Sequence, residues 1–146
     1  DAGVAAGPAV TTPWTALACA ALADDPPQAL CVGGLRGGSA TGDALRLDLQ
    51  SGALQLTELP DLLPLPLSEP LLFTDDAAAV YVQGEGRWLR IDRDDLAVTE
   101  LAPPVSRATG GGTAPLPSGA TLLVGGLDPD GEPLDRFYAF APAVAP

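Results

Sequence analysis

The chain has 146 residues, about one domain's worth, with 17 Gly and 16 Pro but only 18% charged and 5% aromatic side chains. Apolar residues reach 47% and mean hydropathy is +0.22, which excludes the disordered class and points to many short elements joined by turns, not to long helices. His, Lys, Met and Asn are absent and the net charge is −12, so His-based triads, His-ligated zinc, Schiff-base lysines and P-loops are excluded, and nucleic acid or an anionic membrane is a poor partner.

No apolar run approaches the roughly 18 residues of a membrane span, so no insertion is expected. The common residues are those of GC-rich codons, with Ile91 the sole Ile, and a high-GC bacterium is the expected source. The chain starts at Asp1 without a basic, apolar leader, as expected of a processed protein or a piece of a longer one.

In chain order, Ala2 to Thr12 is a spare β-compatible segment, and residues 1–12 are expected to form an edge strand within a leading portion 1–14. Leu17 to Leu22 turns at Asp24-Asp25-Pro26-Pro27 into Ala29 to Gly34. With the turn centred on Asp25, Cys19 and Cys31 lie opposite each other, and a cross-strand disulfide is predicted there. It would favour an oxidising, extracytoplasmic compartment. The alternative is a pair of buried thiols acting as small hydrophobes. A Gly-rich loop then leads to Ala44 to Leu49, where Leu45, Leu47 and Leu49 alternate with polar neighbours, and on to Ala53 to Leu59.

Leu62 to Leu67 alternates Pro with Leu and so is neither helix nor central strand. It either packs under its own sheets or forms an exposed contact strip. A second unit runs through Pro70 to Phe73, Ala78 to Val82, Trp88 to Ile91 and Ala97 to Leu101. A third runs through Thr109 to Leu116, Ala120 to Gly126 and Arg136 to Phe140, with its fourth strand short or absent.

These units repeat. Leu30-Cys31-Val32-Gly33-Gly34-Leu35 returns as Leu122-Leu123-Val124-Gly125-Gly126-Leu127, 92 residues later, and Val80-Tyr81-Val82-Gln83-Gly84 reads as a degenerate copy between them. Arg46-Leu47-Asp48 is echoed by Arg90-Ile91-Asp92 at an offset of 44, and Thr57-Glu58-Leu59 by Thr99-Glu100-Leu101 at 42. Four short strands per unit, a period in the forties and a diglycine ending the second strand resemble the Kelch repeat, the blade of a β-propeller. The resemblance covers about Thr15 to Pro142. It carries over Gly33-Gly34 and Gly125-Gly126 as diglycines, Asp48 and Asp92 after the third strand, and Phe140 at the aromatic position. Leu47 and Ile91 replace the family's aromatic, Leu54 and Val98 its Trp, and Gln83-Gly84 its diglycine.

The expected fold is therefore all-β: three four-stranded antiparallel Kelch-like blades forming part of a β-propeller in one unit, 1–146. Its blades span 15–67, 68–104 and 105–146. Propellers close with four to eight blades, so three leave two blade faces open. Dimerisation into a six-bladed ring, covalent continuation, or end-to-end assembly would cover them.

The diglycines are expected to be structural, letting the chain bend and pack closely. The loops Leu35 to Asp43, Glu85 to Arg87 and Leu127 to Leu134, with the 60–70 linker, fall on one face. Arg36, Asp43, Glu85 and Arg87 are its binding candidates. The other face collects Asp24, Asp25, Asp75, Asp76, Asp94 and Asp95. Asp128, Asp130 and Asp135 are a calcium candidate without the full twelve-residue loop pattern, and a β-turn is the competing reading. No cofactor is implied and no catalytic group stands out. The expected role is a non-catalytic propeller module for protein binding or assembly, completed by self-association or a protein partner, in a bacterial envelope or outside the cell. The alternatives are a fragment of a carbohydrate-acting propeller enzyme and a filament-forming subunit.

Overall fold

The computed structural model describes residues 9–50, 53–74, 79–103, 110–128 and 130–141. Over these the protein is all-β, in four small antiparallel sheets. The strands up to residue 59 are β1 (Trp14–Thr15), β2 (Ala18–Asp24), β3 (Pro27–Val32), β4 (Leu35–Arg36), β5 (Ser39–Ala40), β6 (Ala44–Gln50) and β7 (Ala53–Leu59). β2-β3-β6-β7 form a meander, here the first sheet, and β1-β4-β5 form a small sheet beside it. The second sheet is β8 (Leu71–Thr74), β9 (Ala79–Gly84), β10 (Arg87–Asp92) and β11 (Val98–Leu101). The third is β12 (Gly112–Pro115), β13 (Thr121–Val124) and β14 (Phe137–Phe140).

The Cys19–Cys31 disulfide is present, and the two residues are cross-strand partners with Cα atoms 4.0 Å apart. Beyond it the hairpin departs from simple symmetry. A bulge between Ala21 and Ala23 shifts the last pairs to Ala23↔Gln28 and Asp24↔Pro27, closing the hairpin on Asp25-Pro26. The extra residue, Leu22, joins the core at 5% exposure, and burial of its side chain is what the bulge gains.

The sheets stack face on face. Leu30, Val32 and Ala44 of the first sheet meet Leu72, Val80, Val82, Leu89 and Ile91 of the second. On the second sheet's other face Phe73, Tyr81 and Trp88 meet Leu123, Tyr138 and Phe140 of the third. The first strands β2, β8 and β12 run side by side, with β8 in the middle. Every residue of β9 is buried, because its sheet alone is covered on both faces. The 60–70 linker is packed under its own sheets: Leu63 is 3% and Leu67 0% exposed, both in the first core. Backbone bonds from Leu63 to Gly42, from Leu67 to Thr41 and from Gly34 to Leu67 hold it.

Several expectations are corrected. Among the described residues the third sheet has three strands, so the four-stranded form does not hold for it, in line with the fourth strand expected to be short or absent. The described sheets do not close into a ring, as expected of three blades. The β1-β4-β5 sheet was not foreseen, because two-residue strands carry no periodicity. Residues 1–8, most of the expected edge strand, lie outside the described residues, and Ala9 to Thr12 form no strand. Asp75, Asp76 and Ala78 also lie outside them.

The middle repeat is out of phase by one residue with its sequence alignment. Leu30 pairs with Arg46, whereas Tyr81, not Val80, pairs with Arg90. The β9–β10 hairpin closes in two residues, Glu85 and Gly86, both at positive φ, and that short turn sets the register. Taken on the shared Arg, Leu30 corresponds to Tyr81, Ala44 to Trp88 and Leu47 to Ile91. The third sheet is in phase with the first: Val32 pairs with Ala44 as Val124 pairs with Phe137.

Candidate functional site

The candidate binding residues separate into two places. Arg36, in β4, and Asp43, just before β6, come together: Arg36 Nη1 donates to Asp43 Oδ2 at 2.6 Å, and Nη2 to Glu58 Oε2 of β7 at 2.5 Å. The guanidinium carbon lies 5.1 Å from the Trp14 ring centre, a cation–π distance. The Trp14 indole N–H in turn donates to the Gly33 carbonyl at 2.6 Å, and Thr11 Oγ1 donates to Glu58 Oε1 at 3.3 Å. The amide of Asp61 donates to Asp43 Oδ1 at 2.9 Å. That amide first, and the Arg36 guanidinium second, hold the Asp43 carboxyl below its ordinary range, while the two carboxylates raise Arg36. Arg36 is thus spent on tying β1, β4, β6 and β7 together. Glu58 and Trp14 were missed from sequence, since each lies about twenty residues from its partner with no local pattern to link them.

Glu85 and Arg87 sit apart, at the β9–β10 turn. Ser68 donates to Glu85 Oε1 at 2.7 Å, and Arg87 Nη1 lies 2.5 Å from Glu100 Oε1 in a pair about half exposed on both sides. Asp128 Oδ1 accepts from the amides of Asp130 and Glu132, each at 2.9 Å, so this carboxylate closes the 128–132 turn. Asp135 lies 3.8 Å from Arg136 at the surface. Among the described residues no group of three or more carboxylates, Cys or His is placed to hold a metal ion. Asp24, Asp25, Asp94 and Asp95 are exposed in the turns at the opposite end.

The diglycines share a backbone shape, with φ of 62° and 83° at Gly33 and Gly34 and 62° and 95° at Gly125 and Gly126. Their surroundings differ. A Cβ on Gly34 would stand 2.6 Å from the Leu17 amide nitrogen, and one on Gly33 2.9 Å from the Leu67 carbonyl, whereas nothing lies within 4 Å of one on Gly125.

An apolar cleft of about 180 Å³ opens where the first strands converge, lined among others by Cys19, Ala20, Leu72, Phe73, Thr113 and Pro115. Among the described residues its lining holds no carboxylate and no cation. Further exposed apolar side chains lie on the two outer sheet faces. Opposite Leu30 and Val32, alternation places Ala29, Leu47, Leu49, Leu54 and Leu56 on the outer face of the first sheet, with Leu49 43% and Leu54 42% exposed. Only one end of that face is closed: Cys31 and Leu45 are buried there, where Glu58, the cross-strand partner of Leu45, draws in Arg36. The outer face of the third sheet carries Ala114, Leu122, Val124, Phe137 and Ala139, with Phe137 70% exposed. Neither set contains a charge, in a chain that is 18% charged.

No known protein-family profile matches the chain, and no curated protein matches it. No helix among the described residues is long and apolar enough to cross a membrane.

Proposed function

We propose that the protein is a non-catalytic association module, a Kelch-like partial propeller whose two outer sheet faces are its contact surfaces. The observation that carries this reading is the pair of open, largely apolar faces at the two ends of the stack, where side chains such as Leu54 and Phe137 stand 42% and 70% exposed. Contiguous apolar area of this kind marks an interaction surface. Side-by-side first strands, sheets stacked on their faces and a diglycine turn recurring with the same φ angles support the blade assignment. The Cys19–Cys31 bond supports an oxidising location such as the periplasm, cell surface or exterior.

The test is binding of an apolar dye, 1-anilinonaphthalene-8-sulfonate, to the dilute chain at about 1 µM, where faces awaiting a partner are open. The folded chain is expected to enhance the dye's fluorescence, and Leu54→Glu with Phe137→Glu is expected to remove most of that signal without changing the β-sheet circular dichroism. A folded chain that leaves the dye unchanged would overturn the reading.

A further inference from the structure

Resting on that reading, we propose that the partner is a second copy of this chain, bound head to tail, so that the third sheet of each copy covers the first sheet of the other and two chains close a ring of six sheets. The argument comes from the register of the repeats. Each sheet has a face turned to the sheet before it and one turned to the sheet after it. The first sheet turns Leu30, Val32, Ala44 and Arg46 toward the second, and the second turns Tyr81, Trp88 and Arg90 toward the third. In the same phase the third sheet turns Leu122, Val124 and Phe137 outward. Phe137 therefore occupies the position of Trp88. Trp88 is 0% exposed and stacks on Phe140 of the next sheet at 5.6 Å, whereas Phe137 is 70% exposed.

The first sheet supplies the complementary face. Its outward set, Ala29, Leu47 and the half-closed Cys31 and Leu45, corresponds to Val80, Ile91, Val82 and Leu89 of the second sheet and to Thr121, Phe140, Leu123 and Tyr138 of the third. In both of those sheets that face is covered by the preceding sheet. Leu47 stands where Phe140 stands, so the contact between Trp88 and Phe140 maps onto Phe137 of one copy against Leu47 of the other. One chain thus presents an uncovered forward face and an uncovered backward face, each continuing an interface that the same chain already makes twice inside itself. The Leu47, Leu49, Leu54 and Leu56 part of the first face and the Leu122, Val124 and Phe137 part of the third carry no charge, and Glu58 at the closed end of the first face is paired with Arg36, so two chains of net charge −12 can meet there without an unpaired carboxylate at these positions. Four to eight sheets close a propeller, and two three-sheet chains supply a number within that range.

The experiment is sedimentation equilibrium of the full chain and two variants, Leu47→Glu and Phe137→Glu, each checked for native circular dichroism and then mixed in equal amounts. Head-to-tail pairing expects a wild-type dimer, and each variant alone at least tenfold weaker in association, since both of its contacts carry the charge. It expects the mixture to recover a one-to-one dimer through the single contact that joins unmodified Phe137 to unmodified Leu47. If Phe137→Glu fails to fold, Phe137→Arg with Leu47→Glu provides the same readout, and if Leu47→Glu fails, Leu47→Arg with Phe137→Glu does. Pairing of like faces would weaken only one variant and give no recovery on mixing, which overturns the proposal. A wild-type chain that stays monomeric to about 200 µM also overturns it; if that monomer still binds the dye through Leu54 and Phe137, the association reading survives with a different partner. Absence of both dimer and dye binding removes the two together.

Discussion

Trp88 and Phe137 hold the same place in successive sheets and meet opposite fates: one is fully buried in an aromatic cluster with Phe73 and Phe140, and the other is 70% exposed. The central sheet is covered on both faces and its strand β9 is buried throughout, while each terminal sheet is covered on one. Apolar side chains nevertheless stand on both faces of all three sheets. Burial therefore depends on the neighbours a sheet has and not on its own sequence. Each terminal sheet has an open face that retains the apolar side-chain character of a covered one.

The widest separation between the two regions is expected from matched truncations. Trp88→Ala should cost about 3–5 kcal/mol of stability, the usual toll of emptying a large aromatic site, whereas Phe137→Ala should change the stability of the dilute chain by about 0.5 kcal/mol or less. Urea unfolding at about 1 µM measures both, and equal losses would break the comparison. Next in size is the staple of the first sheet. Replacing Cys19 and Cys31 together by Ala should lower stability by about 2–4 kcal/mol, seen as a lower urea midpoint that reductant no longer shifts.

The diglycines sharpen the contrast within one motif. Gly34→Ala pushes a Cβ to 2.6 Å from the Leu17 amide in addition to occupying a positive φ, and a loss of about 2–3 kcal/mol is expected. Gly125→Ala keeps the φ penalty but meets nothing within 4 Å, so about 1 kcal/mol is expected. Thermal melts of the two variants rank them, and equal shifts would show that the φ penalty alone governs both sites.

The smallest effect is that of Asp43. Its carboxyl is held below the ordinary 3.8 by the Asp61 amide and then by Arg36, so its contribution is present above that unfolded value and is lost as pH falls through the lower folded value. Melting temperatures of wild type and Asp43→Asn should differ at pH 6 and draw together as pH falls below the ordinary 3.8; a gap that stays constant as the pH is lowered would exclude the carboxylate as its source.

Much of this architecture was legible. Cys19 and Cys31 could be placed opposite each other by counting from the turn, and most strand boundaries fall within two or three residues of their expected positions. The Leu22 bulge was not legible, because burial of one side chain decided it. The phase of the middle repeat was misread because Val80-Tyr81-Val82 resembles Leu30-Cys31-Val32 as a string, while the Glu85-Gly86 turn set the pairing one residue away. Arg36 was legible as a candidate in a Gly-rich loop, but its partner Glu58, 22 residues on, became visible only once β7 was folded back. Leu62 to Leu67 left two readings open, and the core contacts of Leu63 and Leu67 decided between them.

The most direct test of the central claim, that the two outer faces are unfinished contacts for a second copy, is the mass of the unmodified chain by sedimentation equilibrium at about 100 µM in 0.15 M salt, where screening shortens the repulsion between like charges to about 8 Å. The account expects twice the 14.7 kDa of one chain. A folded chain that remains at 14.7 kDa across the concentration range would contradict it.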